Sequence, residues 1–135
     1  MNQIKRTLIK EADRATHTAD LFGVHFPLHF EPLVYATANS LSPDYKGGYW
    51  DFFALSNGGF YMAPTGDNRY HVVCENGFEG ELLADAFGVT VCLYAYSQLS
   101  FSGMLIADMC AQQYHWLREY VLEHPEVDGI MAATD

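Results

Sequence analysis

The sequence predicts an α+β fold, with a small antiparallel sheet of about three strands packed against four or five helices. Three observations lead there. The stretch YKGGYWDFFALSNGGFYMAP, from Tyr45 to Pro64, gathers Tyr45, Tyr49, Trp50, Phe52, Phe53, Phe60 and Tyr61 around an Asn-Gly-Gly turn and reads as a β-hairpin. The run from Leu82 to Leu99 is apolar on nearly every side, as a central buried helix requires. Helical periodicity resumes from Met104 to Glu123, so strands and helices are segregated along the chain rather than alternating.

In chain order, residues 4–16, IKRTLIKEADRAT, place Ile4, Leu8, Ile9 and Ala12 at helical spacing with charges on the other face, which predicts a short amphipathic helix. The next segment, LFGVHFPLHFEP, mixes aromatics with two prolines and predicts an irregular packed connection. A helix is expected from Leu28 or Pro32 to about Leu41, because Leu33, Val34, Thr37, Ala38 and Leu41 follow its period, and Ser42-Pro43-Asp44 stops it. In the hairpin, Tyr49 to Leu55 is the first strand and Phe60 to Ala63 the second, with Asn57-Gly58 suited to a type I′ turn and Pro64 ending the ladder.

Arg69 to Glu75 alternates well enough to be a third strand, followed by a second turn dipeptide, Asn76-Gly77. Acidic residues from Glu79 to Asp85 suit the positive end of the central helix. Within that helix Gly88, Val89, Thr90 and Val91 also admit a strand over Val89 to Tyr94. After a break at Ser102-Gly103 and the helix of residues 104–123, His124-Pro125-Glu126 reads as a stop and a new start, with Pro125 first in a terminal helix to Ala133. Residues 1–27 thus form an N-terminal helix and connection and residues 28–135 the main body, in one globular domain.

Composition narrows the function. Four of the seven basic residues, Lys5, Arg6, Lys10 and Arg14, lie in the first fourteen positions. Lys46, Arg69 and Arg118 alone face the carboxylates of the rest, and the net charge is −10. A phosphate backbone needs clustered cations, so direct nucleic-acid binding by this body is not expected. No apolar run reaches the roughly 18 residues that span a bilayer. The N-terminus lacks the apolar block of a signal peptide, which predicts a cytoplasmic protein without a membrane partner. Cys74, Cys92 and Cys110 are regularly spaced with no CxxC pair, and fit buried, reduced thiols.

Motifs for chemistry are weak. His25 and His29 have the spacing of two ligands on one helical face, but Pro27 lies between them and no Glu completes a metal motif. His71 and Cys74, three apart on a strand, point to opposite faces and cannot act as base and nucleophile. Gly47, Gly48, Gly58 and Gly59 fall at a strand start and a turn, not between a strand and a phosphate-binding helix. The hairpin aromatics lack the basic interleaving of a base-stacking platform and are read as core, although strand alternation leaves some rings on an outer face that could bind protein. No catalytic residue, metal-ligand set or cofactor motif is expected.

The runs YWDFFALSNGGFYMAP (Tyr49 to Pro64), ENGFEGELLADAFG (Glu75 to Gly88) and YHWLREYVLEHPE (Tyr114 to Glu126) resemble the ArdB/KlcA family of antirestriction proteins, carried by plasmids and other mobile elements. The resemblance covers roughly Leu28 to Asp135 and is poor before it. It implies a non-enzymatic protein that protects incoming unmodified DNA by relieving host type I restriction while sparing modification. Its implied partner is a component of the restriction system or its pathway. Two other readings stand beside it: an acidic DNA mimic, which needs longer rows of carboxylates than the groups at Glu75 to Asp85 and Glu119 to Asp135, and a small enzyme. Asp51, flanked by Trp50 and Phe52, and Asp135, the terminal acid that the family also tends to carry, are with Tyr49 the candidate partner-binding residues.

Overall fold

The computed structural model describes residues 3–135. It is α+β, as the sequence predicts, but its strands form two small antiparallel sheets. β1 (Arg6–Leu8), β2 (Trp50–Leu55) and β3 (Phe60–Pro64) make the first, in that order, and β4 (Arg69–Val73) and β5 (Glu79–Leu83) make the second. The helices are α1 (Arg14–Phe22), α2 (Glu31–Leu41), α3 (Ala84–Ser100), α4 (Ala107–Val121) and α5 (Val127–Thr134).

The N-terminal segment corrects the expected helix over residues 4–16. It is strand β1 followed by a 3₁₀ turn, Glu11–Asp13. The Ser56 amide donates to the Lys5 carbonyl and the Ile9 amide donates to the Phe52 carbonyl, each at 2.8 Å. A short isolated helix is marginal, whereas this segment satisfies backbone groups along β2 that would otherwise lack partners, so pairing wins. The predicted irregular connection is also more regular than its prolines imply. α1 ends at Gly23, and a π-helical turn, Phe26–Phe30, runs directly into α2. Pro27 is tolerated because it lies in the first turn, where its missing N–H is not needed. Phe22, Phe26, Phe30, Val34 and Ala38, every fourth residue, are all buried along this path.

The hairpin lies where the aromatic stretch predicts, with Phe52 opposite Met62 and Phe53 opposite Tyr61. Its turn is not type I′. No residue other than glycine has positive φ among those described, so Asn57 stays on the ordinary side, while Gly58 adopts φ +102°. The Gly58 amide donates to the Leu55 carbonyl at 3.0 Å and the Leu55 amide to the Gly59 carbonyl at 2.8 Å. The Asn57 side chain braces the turn, accepting from the Gly59 amide at 3.0 Å and donating to the Trp116 carbonyl of α4 at 2.9 Å. The expected outer face of rings is absent too: of the aromatics named in the hairpin stretch only Tyr49 is exposed, the others being buried on both sides of the sheet.

The third predicted strand is β4, but it pairs with β5 and not with the hairpin. Glu79 to Leu83 is therefore strand rather than helix start. Gly77 at φ +98° and the Asn76 side chain, which accepts from the Phe78 amide at 2.9 Å, make the turn between them. α3 begins only at Ala84 and continues as helix through Val89 to Tyr94, settling the ambiguity there. Pro125 precedes α5 rather than opening it, since that helix starts at Val127.

α3 lies along the outer edge of β3. A Cβ added at Gly88 would sit 2.4 Å from the Ala63 Cα and 2.6 Å from the Met62 carbonyl oxygen, so helix and strand backbones nearly touch. The outward groups of β3 bond to side chains instead of a further strand. The Met62 amide donates to Cys92 Sγ at 3.5 Å, and the Cys92 thiol donates to the Met62 carbonyl at 3.4 Å. The Tyr96 hydroxyl donates to the Phe60 carbonyl at 2.7 Å, and the Phe60 amide donates to Gln113 Oε1 of α4 at 2.9 Å.

Two glycines test this arrangement. Gly88→Ala forces a methyl into main-chain atoms that cannot move aside, and is expected to cost about 3 kcal/mol or more in urea denaturation. Gly58→Val combines the positive φ with Trp116 ring carbons 3.2 Å from the new Cβ, and is expected to cost about 2 kcal/mol. An unchanged midpoint in either variant contradicts the packing described.

Candidate partner-binding surface

Four segments distant in sequence meet at the first turn of α3. Asp85 stands there, where a carboxylate faces the positive end of the helix dipole. Its Oδ1 pairs with Arg6 Nη1 of β1 and accepts from the Tyr61 hydroxyl of β3 at 2.7 Å, while Arg6 Nη1 also donates to the Tyr61 oxygen at 2.9 Å. Its Oδ2 accepts from His124 Nε2 at 2.7 Å. The Glu126 amide donates to His124 Nδ1 at 2.9 Å, which fixes the tautomer with its proton on Nε2. Glu126 Oε1 in turn accepts from the Leu83 amide at 3.3 Å. The His-Pro-Glu run thus ties the entrance of α5 to the entrance of α3.

Burial opposes ionisation of Asp85, but hydrogen bonds from His124 and Tyr61 and the charge of Arg6 hold its carboxyl below the usual carboxylate range. Burial pushes the Tyr61 hydroxyl far up, so it remains protonated and donates. Both ring nitrogens of the buried His124 are engaged inside the protein, leaving neither to take a proton from a substrate. The network joins segments of the fold rather than forming a base and nucleophile.

The candidate residues named from sequence fall in three separate surroundings. Tyr49 is 54% exposed and lies one residue before β2, where the Arg14 guanidinium sits 4.9 Å from its ring and 4.2 Å from that of Phe52. Asp51 is half-buried in a recess of about 100 Å³ that it shares with Arg6, Phe53, Ala63, Pro64, Gly66 and Asp85. Asp135 is exposed beyond α5 and pairs with Arg118 of α4 at 3.4 Å. Asp51 therefore adjoins the Asp85 network, and Asp135 is held elsewhere by α4. Sequence reasoning missed Arg6, Asp85 and His124 as a group, although Asp85 and His124 both stand inside the runs that carried the resemblance.

The other candidates for chemistry have ordinary roles. All three thiols are buried and unpaired, and burial pushes Cys92 and Cys110 up to about 12, so neither is a thiolate at neutral pH. His25 and His29 stack with ring centroids 5.4 Å apart. Among the described residues no group of three or more His, Cys, Asp or Glu is arranged to hold a metal ion, and no helix is long and apolar enough to cross a membrane.

Comparison with known proteins bears on what this scaffold is. The model of a family described as antirestriction protein matches residues 43–135. The chain belongs to the antirestriction protein family. It is 41% identical to an antirestriction protein KlcA of Escherichia coli, over 98% of this chain and 94% of that one. It is 35% identical to the putative antirestriction protein YubI of Escherichia coli strain K12, over 94% of this chain and 93% of that one. A solved structure from work on KlcA and ArdB superposes with a TM-score of 0.90 and 39% identity over the whole of both chains. That work describes a novel fold with antirestriction activity against type I DNA restriction systems in vivo but not in vitro. Family similarity therefore extends into the N-terminal segment, beyond the resemblance that the sequence motifs carry.

The network predicts a pH dependence. A carboxyl whose folded-state pKa is depressed stabilises the fold above its unfolded value near 3.9, and that contribution disappears as pH falls through the folded value. Asp85→Asn is therefore expected to lower stability at pH 7 by about 1–3 kcal/mol, with its deficit against the parent narrowing below about pH 4. Thermal unfolding of both proteins across that range checks it, and a deficit that does not change with pH contradicts the assignment.

Proposed function

We propose that the protein relieves type I restriction of incoming unmodified DNA by acting on a protein of the host's restriction pathway in the cytoplasm, without catalysing a reaction. One observation carries this reading. The similar structure, alike over the full length of both chains, is associated with activity in vivo but not in vitro. An inhibitor that simply occupied the restriction enzyme would work on the purified enzyme; an effect confined to cells points to a further cellular component. The network at Asp85, with its histidine engaged on both sides, and the neutral thiols support action by contact rather than by chemistry.

The charge distribution weighs against DNA mimicry. Asp85 and Asp135 are ion-paired within the fold, Glu79 is hydrogen-bonded to His71, and four of the seven basic residues cluster at the N-terminus, so the carboxylates do not form the uninterrupted row that phosphate imitation requires. Tyr49, Asp51 and Asp135 are the proposed contact residues.

Expression in a host carrying a type I system should raise the plating efficiency of unmodified phage while leaving DNA modification intact. No rise across several type I systems overturns the reading, and equal loss of modification favours the mimic. Asp51→Asn and Asp135→Asn keep volume and remove charge. Each is expected to weaken relief with unfolding unchanged, and full relief by the double variant removes these residues from the contact.

A further inference from the structure

The two edges of the three-stranded sheet are treated differently. The β3 edge is closed by Cys92, Tyr96 and Gln113. The other edge is β1, last in the sheet order and, among the described residues, paired with β2 alone. Lys5 and Ile9 bond inward to β2, so strand alternation turns the N–H and C=O groups of Arg6 and Leu8 away from the sheet. All three residues of β1 are exposed, Leu8 at 54%.

This open edge is also where the charge of the protein reverses. From Gln3 to Lys10 the chain carries Lys5, Arg6 and Lys10 and no carboxylate, in a protein of net charge −10. The Arg6 guanidinium is committed to Asp85 and lies 4.4 Å from the centre of the Phe53 ring. Lys5 and Lys10 are exposed and have no ion-pair partner among the described residues. Glu11 and Asp13 follow only on the 3₁₀ turn.

We infer that β1 is a docking edge for an extended acidic segment of a protein partner, which adds to it as a fourth antiparallel strand. Main-chain bonds to Arg6 and Leu8 supply the pairing, Leu8 supplies an apolar contact, and Lys5 and Lys10 select acidic side chains. A second copy of this chain is disfavoured at the same edge, because pairing would bring two cationic edges together. A short, lysine-flanked edge resists self-association and still accepts an oppositely charged strand. The inference rests on the reading that restriction relief passes through a protein partner.

The test uses the full chain, isotope-labelled, titrated with a short peptide alternating Glu with Val and Thr, and with its counterpart carrying Lys in place of Glu. The acidic peptide is expected to bind and to slow amide exchange at Arg6 and Leu8, with the basic peptide inert. Lys5→Glu with Lys10→Glu is expected to weaken that binding by about 10-fold or more and to reduce restriction relief in cells. Lys5→Gln with Lys10→Gln serves if the reversal disturbs folding. No binding at millimolar peptide, equal binding of both peptides, or binding that leaves the Arg6 and Leu8 amides unprotected overturns the inference. So does undiminished relief by the lysine variants. Failure of the parent protein to relieve restriction, with peptide binding as expected, overturns the proposed function and leaves the docking edge standing.

Discussion

The contact between α3 and the outer edge of β3 sets the geometry of the rest, because it is made backbone to backbone and admits no side chain at Gly88. A strand edge carries donors and acceptors that must find partners when buried. Here Cys92 and Tyr96 of α3 and Gln113 of α4 supply them. With the β3 edge closed, the sheet can extend only on the side of β2, where β1 adds. The apolar stripe of Phe22, Phe26, Phe30, Val34 and Ala38 packs into the same core, with Phe30 stacked on Tyr96 at 4.6 Å between ring centroids.

A second constraint joins elements that hydrophobic packing alone leaves free to shift. Asp85 holds β1, β3 and the α4–α5 connection to the start of α3 through Arg6, Tyr61 and His124. Charged groups in such a position gain little on average over apolar substitutes, but removing one leaves its partners stranded. The value of the network lies in register: it specifies where the N-terminal strand and the His-Pro-Glu run sit. At the far end of α5, Asn76 of the β4–β5 turn donates to the Ala132 carbonyl at 3.0 Å and Tyr94 donates to the Ala133 carbonyl at 2.6 Å. The terminal helix is thereby pinned at both ends, which holds Asp135 beside Arg118.

These features suit a protein that works by presenting surfaces. Its polar network at Asp85 joins segments, its buried thiols are neutral, and its surface divides between an acidic body and a basic, open strand edge. Action by contact on a host component, as proposed, would call for exposed groups of defined charge on a well-packed frame, and the fold carries both.

The sequence by itself determined the α+β class, the aromatic hairpin, the buried α3, α4 and the family, because each depends on local composition: period-2 aromatics around Asn-Gly, a uniformly apolar helical length, and long runs in fixed order. It also marked Asn76-Gly77 as a turn, yet the strand after it was hidden, since the acids of Glu79 to Leu83 suit a helix start as well as an exposed strand. Only the tertiary structure decided that residues 6–8 pair with β2 rather than coil, because the open side of an aromatic strand offered backbone partners that a short helix could not match. The same holds for the split into two sheets, for both hairpin faces being covered, and for the meeting of Arg6, Tyr61, Asp85 and His124. Residues far apart in sequence leave no local period, and their convergence is a product of how α3 lies on β3.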